Sequence, residues 1–264
     1  MRHSLLVALE GHDNSTTLAM CHSVVKHFLD KDHFVAYSVE SSSDEAGKRM
    51  DEDGIIPNVN SLVKSNSLTI FDRDTATEMK VKFSGEKLRS KWKSIVLEKH
   101  SASRQQRKKK VAAICPSFPL LLNNQYYRAL LGFEKVLQTE QDVDGEAICF
   151  CTCDSLMALS CSELIEYLML HNFTIHANMA YCEVSCQRIV NMIMQAIGNV
   201  TGKATAELTL KTLKIIYRME ESEIAANPYR FEEILKRLFG KSALSFLEET
   251  KRLMVSDVLF QKSA

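Results

Sequence analysis

Residues 4–18 read SLLVALEGHDNSTTL, and this segment indicates how the fold begins. The apolar run Leu5–Leu9 predicts a buried strand, and apolar positions at helical spacing predict a helix over Thr16–Leu29. A second strand is predicted at Val35–Val39. Strand, short loop, helix and strand in this order are typical of a nucleotide-binding α/β domain.

The loop in this segment lacks the residues that bind phosphate. A phosphate-binding loop reads Gly-x-x-x-x-Gly-Lys-Ser/Thr, in which backbone amides and the lysine hold the phosphates. If Gly11 is the first glycine, Thr16 replaces the second glycine, Thr17 the lysine and Leu18 the magnesium-binding hydroxyl. We therefore predict no cofactor and no enzymatic activity, and a fold that serves sensing or docking.

Apolar and amphipathic segments continue to alternate along the chain. Further strands are predicted at Leu68–Phe71, Val111–Cys115, Ala147–Cys153 and Phe173–His176, and further helices at Gly85–His100, Gln125–Leu137 and Cys161–Leu170. Ser160 and Glu163 form a predicted capping box at the start of the last of these helices. Alternating strands and helices predict an α/β fold, a mostly parallel sheet with helices on both faces.

The pattern becomes helical after Asn178, where no further strand is predicted. The predicted helices are Val184–Ile197, Ala204–Met219, Tyr229–Phe239 and Ser242–Leu259, with Asn227-Pro228 as a helix start and Gly240 as a C-cap. We predict an α/β domain over residues 1–180, a connector helix over 181–200 and a small all-α C-terminal domain over 201–264.

Composition indicates an ordinary globular protein, because 45% of the 264 residues are hydrophobic and 25% are charged. The apolar run after Met1 ends at Glu10, too early for a secretory signal, and no segment reaches the ~18 apolar residues of a spanning helix. We expect a cytoplasmic protein with no membrane partner and with reduced cysteines. The apolar stripe of the Val184–Ile197 helix is compatible with a homodimer or with packing between domains.

Polar residues follow several predicted strands, at the sheet edge where ligands bind in open parallel sheets. They are Gly11, His12 and Asp13 after the first strand, Glu40 after the second, Asp72 after the third and Asp154 after the fifth. Such a carboxylate-rich rim suits a cation or a polar ligand, whereas a triphosphate would be repelled without a nearby lysine. The alternative interpretation is that these residues are helix caps and loop carboxylates.

The cysteines predict no metal site. Cys149, Cys151 and Cys153 alternate along one strand and are interpreted as core residues, because alternate residues lie roughly 6.6 Å apart, whereas two thiolates on one zinc must lie within ~4 Å of each other. Cys182 and Cys186, one helical turn apart with His176 upstream, are weak candidates that lack a second ligand pair.

Residues 80–110 carry twelve lysines and arginines but only two glutamates. This basic segment ends in Arg104, Arg107, Lys108, Lys109 and Lys110. The default interpretation is a solvated helix face followed by a charged loop. The alternative is an electrostatic site for DNA or for an acidic protein partner.

Several segments together carry a family resemblance. They are the opening strand–helix–strand, VAYSVE at 35–40, GIIPN at 54–58 with SLTIFD at 67–72, and AICFCTCD at 147–154 with LIEYLMLH at 164–171. In these segments the chain resembles the MEDS family, the DcmR-like sensory domain of the RecA/KaiC-like superfamily. Residues 198–259 are similar to a small helical domain at the end of archaeal signalling proteins. The segment 223–240 carries this similarity.

The resemblance implies a RecA/KaiC-like sensor followed by an output domain, acting in signalling or gene regulation without catalysis. Our first interpretation is a non-catalytic sensory or transcription-regulatory protein that binds a small ligand or a protein partner at the strand rim. One alternative is a divergent KaiC-like ATP-binding protein in which Glu40 polarises water. Another is a DNA-associated regulator that uses the basic residues 104–110.

Overall fold

The computed structural model describes residues 2–8, 14–39, 41–71, 90, 94, 110–116, 124–139, 144–175 and 181–260. The chain divides into two compact units, Met1–Thr152 and Cys153–Ala264. The three-part division at residues 180 and 200 stays a prediction.

The first unit contains the five strands that the sequence predicts for it. They are β1 (Arg2–Ala8), β2 (Phe34–Ser38), β3 (Leu68–Phe71), β4 (Val111–Pro116) and β5 (Gly145–Thr152), with helices α1 (Asn14–Asp30), α2 (Ser43–Glu52), α3 (Val59–Lys64) and α4 (Asn124–Thr139). The predictions for α1 and α4 are confirmed to within two residues at each end. The helix predicted over residues 85–100 lies outside the described residues, except for Ser90 and Ser94.

The second unit contains two short strands and seven α-helices among its described residues. Its strands are β6 (Phe173–Ile175) and β7 (Tyr181–Glu183), and its helices are α5 (Cys153–Met157), α6 (Cys161–Met169), α7 (Cys186–Thr201), α8 (Lys203–Ile215), α9 (Glu221–Ala226), α10 (Pro228–Phe239) and α11 (Ala243–Phe260). The four helices predicted after Asn178 are present. The prediction that no strand follows Asn178 is wrong, since β7 pairs antiparallel with β6. A three-residue strand is too short to show an alternating pattern.

The sheet is mostly parallel: the strands of the first unit lie in the order β3-β2-β4-β5-β1, and β6 and β7 of the second unit form an antiparallel pair. The five strands of the first unit pair in parallel throughout. Strand β1 is buried along six of its seven residues, which explains the apolar run Leu5–Ala8 in its second half. The predicted α/β class with a mostly parallel sheet is therefore confirmed, and the strand order is consistent with a RecA-like fold.

The register places α1 and α4 on opposite faces of this parallel sheet. Residues that align across parallel strands point to the same face, and the alignment runs from Tyr37 through Ile114 and Ile148 to Ser4. The ring of Tyr37 contacts the α1 side chain His22 edge-on, with 5.8 Å between ring centroids. His3, adjacent to Ser4 and hence on the other face, contacts α4. Helices therefore cover both faces of the first unit, as the sequence predicts.

Residues typical of helix ends mark where several helices of the second unit begin or end. The capping box at α6 is confirmed: the Glu163 amide donates to Ser160 Oγ at 3.2 Å, and the Ser160 amide donates to Glu163 Oε2 at 2.8 Å. Pro228 begins α10, and Gly240 ends it with a φ of 55° that suits glycine. Among the described residues, no helix has both the length and the apolar composition needed to cross a bilayer.

An ion pair in the second unit predicts a small decrease in the free energy of unfolding in acid. Arg252 donates to both carboxylate oxygens of Glu249 at 2.8 Å, and Asn199 donates to one of them at 2.8 Å. These hydrogen bonds, that of Arg252 first, lower the pKa of Glu249 from 4.5 to about 2. A pKa depressed by folding stabilises the protein above pH 4.5, and this contribution is lost as the pH falls towards 2.

We expect Glu249→Gln to flatten the decline in unfolding free energy between pH 4.5 and 2. The effect should be at most about 1 kcal/mol, because Arg252 is largely solvated. Urea denaturation at a series of pH values measures it. Glu207→Gln, at an exposed glutamate 3.9 Å from Lys203, is the matched control. Identical pH profiles for the two variants would contradict this assignment.

Candidate functional site

The predicted ligand rim falls mostly outside the described residues. Gly11, His12, Asp13, Glu40 and Asp72 are not described, so their assignment to the rim stays a prediction. Asp154 is described, and it lies exposed in the first turn of α5, directly after β5 ends at Thr152. The one described member of the predicted rim is thus open to solvent next to the carboxyl end of a central strand.

The other predicted site residues are only partly described. Arg104, Arg107, Lys108, Lys109 and His176 lie outside the described residues. Lys110 is exposed, and its Nζ lies 3.7 Å from Asp144 Oδ1, just before β4 and β5 begin. Cys182 in β7 and Cys186 at the start of α7 are both half-buried free thiols. Among the described residues, neither cysteine belongs to a cluster of three potential metal ligands.

The structure brings together three polar side chains in the core of the first unit that the sequence analysis did not connect. They are His3 on β1, Glu134 on α4 and Cys149 on β5, and all three are fully buried. His3 Nε2 lies 2.9 Å from Glu134 Oε2 and 3.3 Å from Cys149 Sγ. Cys149 Sγ lies 2.8 Å from the same Glu134 oxygen. We refer to these three residues as the core triad.

Sheet register and helix periodicity explain how the core triad assembles. His3 aligns with Ala147, so Cys149, two residues further along β5, points to the same face as His3. Among the side chains of α4 that the structure describes, those of Tyr127, Leu130, Leu131 and Glu134 are buried. This i, i+3, i+4, i+7 spacing marks the stripe that faces the core, and Glu134 occupies a position where an apolar residue is usual. A glutamate in a core stripe was the signal available in the sequence.

The electrostatics of the core triad follow from its burial. A buried carboxylate is costly unless hydrogen bonds or opposite charge compensate it. The Cys149 thiol donates to Glu134, and His3 Nε2 lies at hydrogen-bond distance from the same oxygen. Burial first, and then the nearby Glu134 charge, raises the pKa of the Cys149 thiol well above its usual 9.0. The thiol is therefore a protonated hydrogen-bond donor rather than a nucleophile.

A second polar pair of the first unit joins α1 to the end of α2. His22 Nδ1 is hydrogen-bonded to Asp53 Oδ2, and the His22 ring packs edge-on against Tyr37. His22 is buried whereas Asp53 is partly exposed. The pair thus links α1 to the residue that follows α2. Unlike the core triad, this pair contains no cysteine.

The second unit has its own buried polar contacts. Ser162 in α6 donates through its hydroxyl to the Glu232 carboxylate on α10, and the Ser162 amide donates to the same oxygen at 3.3 Å. Burial opposes ionisation of Glu232, but hydrogen bonds from Lys236 and Ser162 outweigh it and lower the pKa of Glu232. His171 is buried at the end of α6, where Nδ1 lies 2.8 Å from the Tyr167 carbonyl oxygen. These contacts fix helix ends and helix packing within the unit.

The sequence matches no family model and no curated protein. The similarity to the MEDS family therefore rests on the segments quoted above, and it stays a prediction.

Proposed function

We propose that this chain is a non-catalytic sensory or regulatory protein that binds a small ligand or a protein partner at the carboxyl ends of its parallel strands. The observation that carries the proposal is the burial of the core triad. Its thiol, imidazole and carboxylate would suit catalysis in a cleft, but all three are inaccessible to a substrate. At the strand rim, by contrast, Asp154 is accessible to a ligand.

The sheet supports this location for a ligand. Strands β4, β5 and β1 are parallel neighbours, with Pro116 aligned to Phe150 and Ala8 aligned to Thr152. Their carboxyl ends therefore lie side by side at one edge, the edge where open α/β sheets bind ligands. A ligand there would lie at the end of β1, which the predicted rim residues Gly11, His12 and Asp13 follow in the sequence. Carboxylates favour a cationic or hydroxyl-rich ligand at such a rim.

A divergent ATP-binding protein is the second candidate, favoured by a strand order consistent with a RecA-like fold. The two candidates differ in the charge of the ligand that they require. ATP brings several negative charges to a rim that, in the sequence, offers carboxylates and no lysine in the loop after β1. The first candidate therefore predicts discrimination against ATP, and the second predicts binding of ATP with magnesium.

We expect ATP with magnesium to leave the melting temperature unchanged. A ligand at 100 times its Kd stabilises a protein by about 2.7 kcal/mol, which raises Tm by roughly 5–10 °C in a chain of this size. A thermal-shift titration measures this difference. A saturable rise in Tm with ATP would reject the first candidate in favour of the second.

A thermal-shift screen of cationic and polyhydroxylated metabolites tests the rim directly. Asp154→Asn removes a carboxylate after β5, and Asp144→Asn removes an exposed one just before β5, at its opposite end. We expect a stabilising ligand whose effect is lost in Asp154→Asn and kept in Asp144→Asn. Absence of any stabilising ligand, or equal responses from the two variants, would reject rim binding.

A further inference from the structure

We propose that the core triad of His3, Glu134 and Cys149 binds a zinc-class transition-metal dication. An imidazole nitrogen, a thiolate sulfur and a carboxylate oxygen are the three ligand types that zinc takes in proteins. Each of the three side chains already presents one such atom to the other two. The inference goes beyond the proposed function and does not depend on the rim.

Geometry supports the inference. Zinc bonds of about 2.0–2.3 Å place the ligand atoms of a tetrahedral site roughly 3.3–3.6 Å apart. In the core triad the separations are 2.9 Å between His3 Nε2 and Glu134 Oε2, 3.3 Å between His3 Nε2 and Cys149 Sγ, and 2.8 Å between Cys149 Sγ and Glu134 Oε2. Each atom needs to move outward by less than about 1 Å to admit the ion. Small changes of side-chain torsions on two strands and a helix provide this movement.

Charge balance gives a second, independent argument. A divalent cation, one thiolate and one carboxylate sum to zero, while the imidazole of His3 binds as a neutral ligand. A neutral assembly avoids the large cost of an uncompensated charge in a fully buried site. When the ion binds, the Cys149 S–H bond breaks, a metal–sulfur bond forms and the proton leaves to solvent. In the metal-free protein Nε2 of His3 carries the proton that it donates to Glu134. On metal binding the neutral ring changes tautomer: Nε2 gives up this proton, Nδ1 takes one up, and the Nε2 lone pair binds the ion.

The position of the core triad indicates a structural role for the metal. Its members come from β1, β5 and α4. His3 is 131 residues from Glu134 in the sequence, and Cys149 is 15 residues from Glu134. An ion bound to all three would fix the packing of the helix on the central strands, and its binding energy would add to the folding energy. The site is fully buried, so a bound ion would act on the packing of the fold and not on a substrate.

Cobalt substitution tests the site in the full-length chain. The protein is purified under reducing conditions, stripped with a chelator and titrated with Co²⁺. We expect one equivalent per chain, visible d–d bands of bound cobalt and a near-ultraviolet thiolate-to-cobalt band, all abolished by excess Zn²⁺. A folded chain, judged by circular dichroism, that shows no thiolate-to-cobalt band would overturn the proposal.

Matched cysteine variants assign the sulfur ligand. Cys149→Ser should lose the thiolate-to-cobalt band. Cys151→Ser, a buried position on the same strand and face, should retain it, and so should the double variant Cys182→Ser/Cys186→Ser. Retention of the band in Cys149→Ser, or its loss in the double variant, would place the metal elsewhere and overturn the assignment.

The other two ligands are tested by affinity. We expect His3→Gln and Glu134→Gln to weaken zinc binding by more than the roughly 10–100-fold typical of outer-shell changes. His22→Gln, at a buried histidine that pairs with the Asp53 carboxylate, should leave zinc affinity unchanged. Equal affinities of parent, His3→Gln and Glu134→Gln would overturn the proposal.

X-ray absorption on the zinc-loaded parent protein gives a readout that does not depend on variants folding. We expect one sulfur in the first coordination shell, with nitrogen and oxygen ligands filling the rest. A shell with no sulfur, or with two or more, is incompatible with the core triad.

Discussion

Replacing Gly145 with alanine is expected to destabilise the first unit by about 3 kcal/mol or more. Gly145 begins β5 and aligns with Val111 at the start of β4. A Cβ atom built on Gly145 would lie 2.0 Å from the Val111 carbonyl oxygen and 2.8 Å from its carbonyl carbon. These are backbone atoms of a paired strand, which cannot rotate away as a side chain can. The clash is therefore relieved only by separating β4 from β5.

Urea denaturation of Gly145→Ala, compared with Gly132→Ala, measures this effect. Gly132 lies within α4 of the same unit, and a Cβ atom there meets nothing within 4 Å. Alanine at that position should be neutral or stabilising by up to about 1 kcal/mol, because glycine is a poor helix former. If Gly145→Ala is as stable as the parent protein, the close approach of β4 to β5 is not a feature of the folded chain.

The central elements of the fold could be predicted from the sequence because their signals are local. Strands buried on both faces appear as apolar runs, as at Leu5–Ala8, and long amphipathic helices repeat their pattern over several turns. The capping box of Ser160 and Glu163 lies within four consecutive residues. Elements with weaker local signals were missed, such as α2, whose helix buries only Ala46 and Met50 among polar and charged residues.

The glutamate in the apolar stripe of α4 was a local signal, but the assembly of the core triad could not be predicted because it depends on long-range contacts. His3 and Glu134 are 131 residues apart, and only the register of β1 against β5 and the position of α4 bring them together. Cys149 was interpreted as a core residue, and its complete burial confirms this. Alternate cysteines on one strand lie too far apart to share an ion. A single cysteine can still meet ligands from a neighbouring strand and a helix, as Cys149 meets His3 and Glu134.

A double-mutant cycle on His3 and Glu134 is expected to show strong coupling. In metal-free protein, His3→Leu removes a partner of the buried Glu134 carboxylate and should cost about 3–5 kcal/mol. Glu134→Leu leaves the His3 imidazole and the Cys149 thiol without this acceptor and should cost about 1–3 kcal/mol. The double variant His3→Leu/Glu134→Leu should be more stable than the sum of the single effects predicts, by roughly 0.5–3 kcal/mol.

The cycle is measured by urea denaturation in the presence of a chelator, with an exposed pair as control. Lys26 and Asp30 lie four residues apart on α1, with Nζ 2.6 Å from Oδ2. An exposed helical pair of this kind should couple by no more than about 0.5 kcal/mol. The short distances in the two pairs are similar, so a difference in coupling must come from burial. Equal coupling in the two cycles would mean that the Glu134 carboxylate is not held as a buried charge by His3.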